Sequence, residues 1–239
     1  MAAKDNRGPT AKTQRDAAKA VARARSGGRS AWPWIGAGVV IVAAVAVVVI
    51  VSVTKSPGQH TSPTESASLN NPPATVAVGA DTPPPWPAPA DAAAAVAAAG
   101  LPMLGSEGNV EHIHAHLDVL ANGQPVAVPA NIGIDTKHGT ISPLHTHDAS
   151  GVIHIESPVK RQFSLGEFFS EWQVSLSPDH IGGLRAGDGK VVRVFVNGKP
   201  QTGNPAAIML GAHDEIAVVY GTPRPGETIP STYEFPEGD

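Results

Sequence analysis

Six of the ten histidines lie in two short blocks of the chain. The first block reads HIHAH from His112 to His116, and the second reads HTHDASGVIHIE from His145 to Glu156. Within each block the histidines recur at a spacing of two, or across a turn, so a β-strand would carry them on one face. Imidazole is the commonest protein ligand for zinc, copper and other borderline metals. The spacing therefore predicts a metal site on a β scaffold.

The first block predicts one good ligand pair. Histidines two apart on a strand start roughly 6.6–7 Å apart and can converge on one ion, which makes His114 and His116 the preferred pair. His112 lies twice that distance from His116, so we expect it at the rim of the site or in contact with a metal ligand rather than with the ion. Asp118 shares the face and could bind the ion, or could hold an imidazole N–H and fix its tautomer.

The second block predicts a hairpin. A turn at Ala149-Ser150 would place His145 opposite His154, with Cβ atoms roughly 5 Å apart, whereas a three-residue turn would separate them. Glu156 falls on the same face and could ligate or orient an imidazole. A pH-sensitive or merely polar face and metal-free acid–base catalysis remain alternatives. We expect one ion to be bound by three or four of His114, His116, His145, His147 and His154.

The absence of cysteine limits the metals that such a site could hold. Any site must use nitrogen and oxygen ligands, which favours Zn²⁺ or Cu²⁺ and disfavours Cu(I) and iron–sulfur chemistry. The other domain histidines occur beside Gly, Pro or Asp and are expected in loops. They are His138, His180 and His213.

The N-terminal part of the chain predicts a membrane anchor. Residues 1–31 carry eight Lys/Arg against two Asp/Glu, a net charge of +6, and residues 56–239 carry eight against nineteen, a net charge of −11. The 19 residues from Ile35 to Val53 are apolar and uncharged, enough to cross a bilayer. The basic flank places the N-terminus in the cytoplasm and the acidic remainder outside. A cleaved signal peptide is the competing interpretation.

These patterns divide the chain into five segments. They are a basic cytoplasmic tail (1–31), a transmembrane signal-anchor (32–54), a linker rich in Pro, Ser and Ala (55–90), an extracytoplasmic β-rich domain (91–233) and a tail (234–239). The linker composition is typical of an extended tether. The acidic exported part argues against nucleic-acid binding. The expected partner is the lipid bilayer, which the apolar segment Ile35–Val53 would cross.

The domain itself is predicted to be mostly β, a sandwich or barrel built from hairpins, with one or two short helices. Asn122-Gly123 and Asn197-Gly198 each follow an alternating segment and predict hairpins, the first with Val119 opposite Val126. Glu215 to Tyr220 reads as a further strand. One helix should follow Asp91, and another should follow a capping box that starts at Ser164.

The runs HIHAHLDVLANGQPVAVPANIGI, HTHDASGVIHIE, FSLGEFFSEWQV and VFVNGK resemble a group of uncharacterised, largely actinobacterial proteins that are anchored to the membrane or secreted. The resemblance covers about residues 91–222. It implies an exported location and names no activity.

Three functions fit the sequence. The favoured one is a non-catalytic module that sequesters or delivers Zn²⁺ or Cu²⁺ outside the membrane, with four protein ligands around the ion. A metal-dependent hydrolase or oxygenase would instead keep an open position for water, with Glu156 or Asp118 as its base. The third is an accessory or scaffold subunit of a membrane protein complex, with the histidine face as its interface.

Overall fold

The computed structural model describes residues 68–236. The predicted basic tail, the transmembrane segment and residues 55–67 of the linker lie outside this range. Within the range, no helix has the length and apolar character needed to cross a bilayer.

The described chain contains two short α-helices, one 3₁₀ turn and twelve strands. The helices are α1 (Ala92–Ala98) and α2 (Leu165–Glu171), and the 3₁₀ turn covers Pro205–Ala207. The strands are β1 (Glu111–Ala121), β2 (Gln124–Val126), β3 (Ile134–Asp135), β4 (Thr140–Ile141), β5 (Leu144–His145), β6 (Val152–Ser157), β7 (Leu176–Ser177), β8 (His180–Ile181), β9 (Leu184–Arg185), β10 (Val191–Val196), β11 (Lys199–Gln201) and β12 (Glu215–Gly221). The prediction of a mostly β domain with short helices is confirmed.

Seven of the strands form one mixed sheet with the order β11-β10-β12-β1-β6-β5, and β2 also pairs with β1. Strands β1 and β12 run parallel, while the other pairs in this sheet are antiparallel. The order has two ends, so this sheet is open and does not close into a barrel, which was one of the two predicted architectures. Hairpin signals reveal only neighbours along the chain, whereas the pairing of His116 with Glu215 joins residues 99 positions apart.

Both Asn-Gly hairpins form as the sequence predicts. Asn122 and Asn197 have φ values of 54° and 51°, and the following glycines have 81° and 71°. These left-handed conformations suit a two-residue turn whose twist matches that of the strands. The first hairpin has the predicted register, with Val119 opposite Val126.

Strand β1 separates the core from the histidines because successive side chains point to opposite faces. Its Ala115, Leu117 and Val119 are buried in the main hydrophobic core. Helix α2 contributes Phe168 and Phe169 to that core, and Trp172 directly after it contributes a third aromatic ring. The Ser164–Glu167 capping box at the start of α2 is present. The histidines of β1 therefore lie on the face of the sheet that points away from this core.

Residues 69–90 belong to the folded domain, which differs from the predicted tether through residue 90. Leu69 and Trp86 are buried in the main core. The Ala80 N–H donates to the Gln173 carbonyl at 2.9 Å, and Ala77 forms a β-bridge with Leu176. Two apolar anchors and a few backbone hydrogen bonds are enough to hold a segment whose composition is typical of a linker.

Candidate metal centre

Three neighbouring strands carry a row of histidines across the sheet. His114 of β1 lies directly opposite His154 of β6, and His145 of β5 lies opposite His154 on the other side. The predicted register of the second block is therefore confirmed. Directly opposed side chains have Cβ atoms about 5 Å apart, so the three rings lie side by side. The next row on the same face pairs His112 with Glu156.

The connection between β5 and β6 brings His147 against this row. The ring centroid of His147 is 4.5 Å from that of His154 and 4.7 Å from that of His145. One ligand nitrogen from each of the three rings lies within 4.8 Å of the others. The turn that joins the strands thus adds a third imidazole to the pair that the strands themselves supply.

The spacing of two of these nitrogens matches a tetrahedral ion. The Nε2 atoms of His145 and His147 are 3.2 Å apart. Zinc–nitrogen bonds of about 2.0–2.1 Å at a tetrahedral angle place neighbouring ligand nitrogens roughly 3.3 Å apart. The two imidazoles therefore already have the separation that a shared ion requires.

The surroundings of His145 hold it in the form that binds a metal. Its Nδ1–H donates to the Ser142 carbonyl at 3.0 Å, which leaves the lone pair on Nε2, the atom nearest to His147. Burial of the ring lowers the pKa of His145 to about 3, despite the nearby negative charge of Glu156. The ring is thus neutral at physiological pH, and a neutral imidazole is the ligand state.

Gly151 allows the β5–β6 connection to lie against the sheet. Its φ is +94°, and a Cβ atom at this position would lie 2.6 Å from the Leu117 carbonyl oxygen and 2.9 Å from Nε2 of His116. Any other residue would strain the backbone and push the connection away from β1. The position of His147 depends on this close approach.

Glu107 reaches the same cluster, although the sequence did not single it out. Its Oε1 lies 3.5 Å from Nε2 of His147. It also groups with His145 and Glu156 as three donors within 4.8 Å of one another. The neighbouring Gly108 has no Cβ, and one would lie 2.1 Å from the Ser157 carbonyl carbon, so only glycine permits this approach. A single glutamate in a loop carries no spacing signal.

Glu156 is the buried carboxylate of the site. Its Oε1 lies 3.3 Å from His154 Nδ1, 3.5 Å from His112 Nε2 and 3.8 Å from His114 Nε2. Its Oε2 is buried and has no hydrogen-bond partner within the described residues. Burial disfavours the carboxylate, but the hydrogen bond from His154 and the neighbouring histidines outweigh that cost and lower the pKa of Glu156.

His112 and His114 form a second group with Glu156. One donor atom from each of the three residues lies within 4.8 Å of the others. The His114 side chain is 3% exposed, whereas that of His112 is 53% exposed and lies at the solvent edge. The rings of His114 and His154 are in contact, with centroids 4.5 Å apart, so the two groups adjoin.

His116 lies apart from these groups, which differs from the predicted pairing of His114 with His116. Its Nδ1 is 2.6 Å from Glu215 Oε2, and its Nε2–H donates to the Ser150 carbonyl at 2.8 Å. Burial lowers the pKa of His116, but these two acceptors outweigh it and raise the pKa above its ordinary value. Nδ1 is thus engaged by Glu215 and Nε2 by the Ser150 carbonyl, so neither ring nitrogen is directed toward the histidine cluster.

The His116 group is built by parts of the chain that the histidine spacing does not reveal. Glu215 comes from β12, the parallel partner of β1. Asp118 completes a group of three possible donors with His116 and Glu215. The ring of Tyr233 stacks on His116 with a centroid distance of 3.8 Å. The C-terminal segment thus covers this group.

The three histidines that the sequence assigned to loops lie outside the clusters. His138 pairs with Asp135 at 2.6 Å, and His213 lies in a turn with φ 58°. His180 lies in the short strand β8, where its Nδ1 is 2.9 Å from Asp179 Oδ1. Each of the three therefore has its own local contacts.

Comparison of the chain with protein-family models, curated proteins and solved structures finds no match in any of the three.

Proposed function

We propose that this protein is a non-catalytic module that binds Zn²⁺ or Cu²⁺ through His145, His147 and His154. The observation that carries the proposal is the 3.2 Å separation between the Nε2 atoms of His145 and His147, beside a third ring. A hydrogen bond between two imidazoles would explain that distance alone. It would not explain why His154 adds a third ligand nitrogen within 4.8 Å of both.

The donor set supports both the choice of metal and a carrier role. The chain has no cysteine, so the ligands are imidazole nitrogens and carboxylate oxygens, which suit Zn²⁺ and Cu²⁺. The Glu107 side chain is 53% exposed and its Oε1 lies 3.5 Å from His147, so a small movement would make it a fourth ligand. Four protein ligands close a zinc site, whereas catalytic sites keep one position open.

The proposed location is the outer face of a cell membrane. Its support is the sequence, in which the basic residues 1–31 precede the apolar Ile35–Val53 and an acidic remainder. Together these features suit a protein that sequesters or delivers metal outside the cell while tethered to the bilayer. Protease added to intact cells should degrade the domain but spare an epitope placed before residue 31. Protection of the domain would contradict this location.

The direct test is a zinc titration of the full chain, purified in detergent without an affinity tag that binds metal. We expect saturable binding by calorimetry and a rise in the melting temperature, because a ligand that binds only the folded state stabilises it. The variant His147→Ala should bind zinc at least tenfold more weakly. Its side chain is 46% exposed, so the substitution should leave the fold intact.

His138→Ala is the matched control, because the His138 side chain is 64% exposed and pairs with a carboxylate away from the cluster. Its zinc affinity should equal that of the wild type. The proposal is wrong if the wild type fails to bind zinc, or if the two variants bind it equally well.

A further inference from the structure

The three-histidine site leaves a second set of donors on the same face of the sheet. His112 and His114 both direct Nε2 toward Glu156 Oε1, at 3.5 Å and 3.8 Å. These distances are close to the separation of roughly 3.3 Å between ligand atoms around a tetrahedral ion. The second set therefore has a geometry similar to that of the first.

Glu156 lies between the two sets. Its Oε1 faces His112 and His114, and one of its oxygens also lies within 4.8 Å of a His145 ligand nitrogen. Its Oε2 is buried without a hydrogen-bond partner in the described part of the chain. In two-metal sites the ions are about 3.5–4 Å apart, a distance that a single carboxylate can bridge.

We propose that Glu156, His112 and His114 form a second divalent-cation position, so that this face holds two ions joined by the Glu156 carboxylate. The inference rests on the proposed function, because a joined pair requires a first ion at His145, His147 and His154, and one Glu156 oxygen lies within 4.8 Å of a His145 ligand nitrogen. The exposed edge of His112 gives the second ion a path from solvent, since 53% of that side chain is accessible.

If Glu156 served only to orient an imidazole ring, fewer of its contacts with the histidines would be explained. A carboxylate that only fixed the tautomer of His154 would need the single contact to its Nδ1 at 3.3 Å. Here the same oxygen is also approached by the 3% exposed ring of His114 and by His112. A cation shared by the two rings and the carboxylate would account for the approach of both rings to this oxygen.

The test uses the full chain in detergent and Cu²⁺ as the probe. We expect calorimetry and metal analysis to give two equivalents of Cu²⁺. Electron paramagnetic resonance should show reduced intensity in the ordinary signal and a half-field transition, because two Cu²⁺ ions joined by one carboxylate are magnetically coupled. His112→Ala should reduce the stoichiometry from two to one and remove the half-field transition. His138→Ala should keep both.

The outcomes separate this inference from the proposed function. One equivalent of Cu²⁺ in the wild type would overturn the second position and leave the three-histidine site standing. No binding would overturn both. Two equivalents without magnetic coupling would overturn the joined pair, as would a His112→Ala variant that keeps two coupled ions.

Discussion

The histidines of this sheet differ in chemistry because their partners differ. His145 donates one N–H to a backbone carbonyl, and burial lowers its pKa to about 3. His116 lies between a carboxylate and a carbonyl, which together raise its pKa. Both are buried and both belong to a His-x-His pair. His145 keeps its Nε2 lone pair for a cation, whereas both ring nitrogens of His116 are engaged by Glu215 and the Ser150 carbonyl.

Ser142 connects the candidate metal centre to helix α2. Its carbonyl accepts the Nδ1–H of His145, and its hydroxyl donates to the carboxylate of Glu171. Burial raises the pKa of Glu171 well above the ordinary value of 4.5, and the bond from Ser142 only partly opposes this. A carboxyl group with a raised pKa favours the folded state while protonated. That stability is present at low pH and is lost as the pH rises through the folded-state pKa.

Glu171→Gln should therefore alter how stability depends on pH. Above pH 4.5 the wild type should lose about 1.4 kcal/mol of unfolding free energy per pH unit, until the folded-state pKa of Glu171 is reached. Glu171→Gln lacks this loss, so its unfolding free energy minus that of the wild type should grow with pH and then level off. Urea unfolding between pH 4 and pH 9 measures this difference. Glu234→Gln is the control, because Glu234 is exposed. Parallel curves of unfolding free energy against pH for the wild type and Glu171→Gln would contradict the expectation.

At the scale of elements, the connection between β5 and β6 depends on Gly151. Gly151→Ala and Gly203→Ala form a matched pair, because their φ values are 94° and 89°. A Cβ at Gly203 meets nothing within 4 Å, whereas one at Gly151 meets the Leu117 carbonyl oxygen at 2.6 Å. Both variants should lose ~1–2 kcal/mol to backbone strain.

Gly151→Ala should lose a further ~1–3 kcal/mol through the steric clash, and its zinc affinity should fall because the connection carries His147. Urea unfolding and calorimetry on both proteins measure the two effects. Equal destabilisation of the pair, with unchanged zinc affinity, would show that the connection does not need this close approach.

The sequence predicted those elements whose signals are local. The Asn122-Gly123 turn predicted the Val119–Val126 register, the capping box located α2, and the alternation in β1 separated His114 from the core. The parallel pairing of β1 with β12 has no local signal, so Glu215 and its contact with His116 were missed. Glu107 was missed because a backbone approach at Gly108, rather than a spacing, brings it to the cluster.

At the scale of the whole domain, residues 69–90 complete the core. The Trp86 ring packs edge-on against Trp172 with a centroid distance of 5.8 Å, and Trp172 Nε1–H donates to the Trp86 carbonyl at 3.2 Å. Trp172 follows α2, the helix whose Glu171 contacts Ser142 beneath the candidate metal centre. Residues 69–90, whose composition is typical of a linker, therefore pack against the elements that position the site.

Trp86→Ala tests whether this segment is structural. Truncating a buried aromatic side chain leaves a cavity in the core, so we expect a loss of ~3–5 kcal/mol in urea unfolding. Val78→Ala is the control in the same segment, because Val78 is 57% exposed and its truncation should change stability by less than about 0.5 kcal/mol. If residues 69–90 acted only as a tether, the two variants would unfold at the same urea concentration. Because the helix beneath the centre depends on Trp86, the concentration at which Trp86→Ala unfolds should also be the one at which it releases zinc.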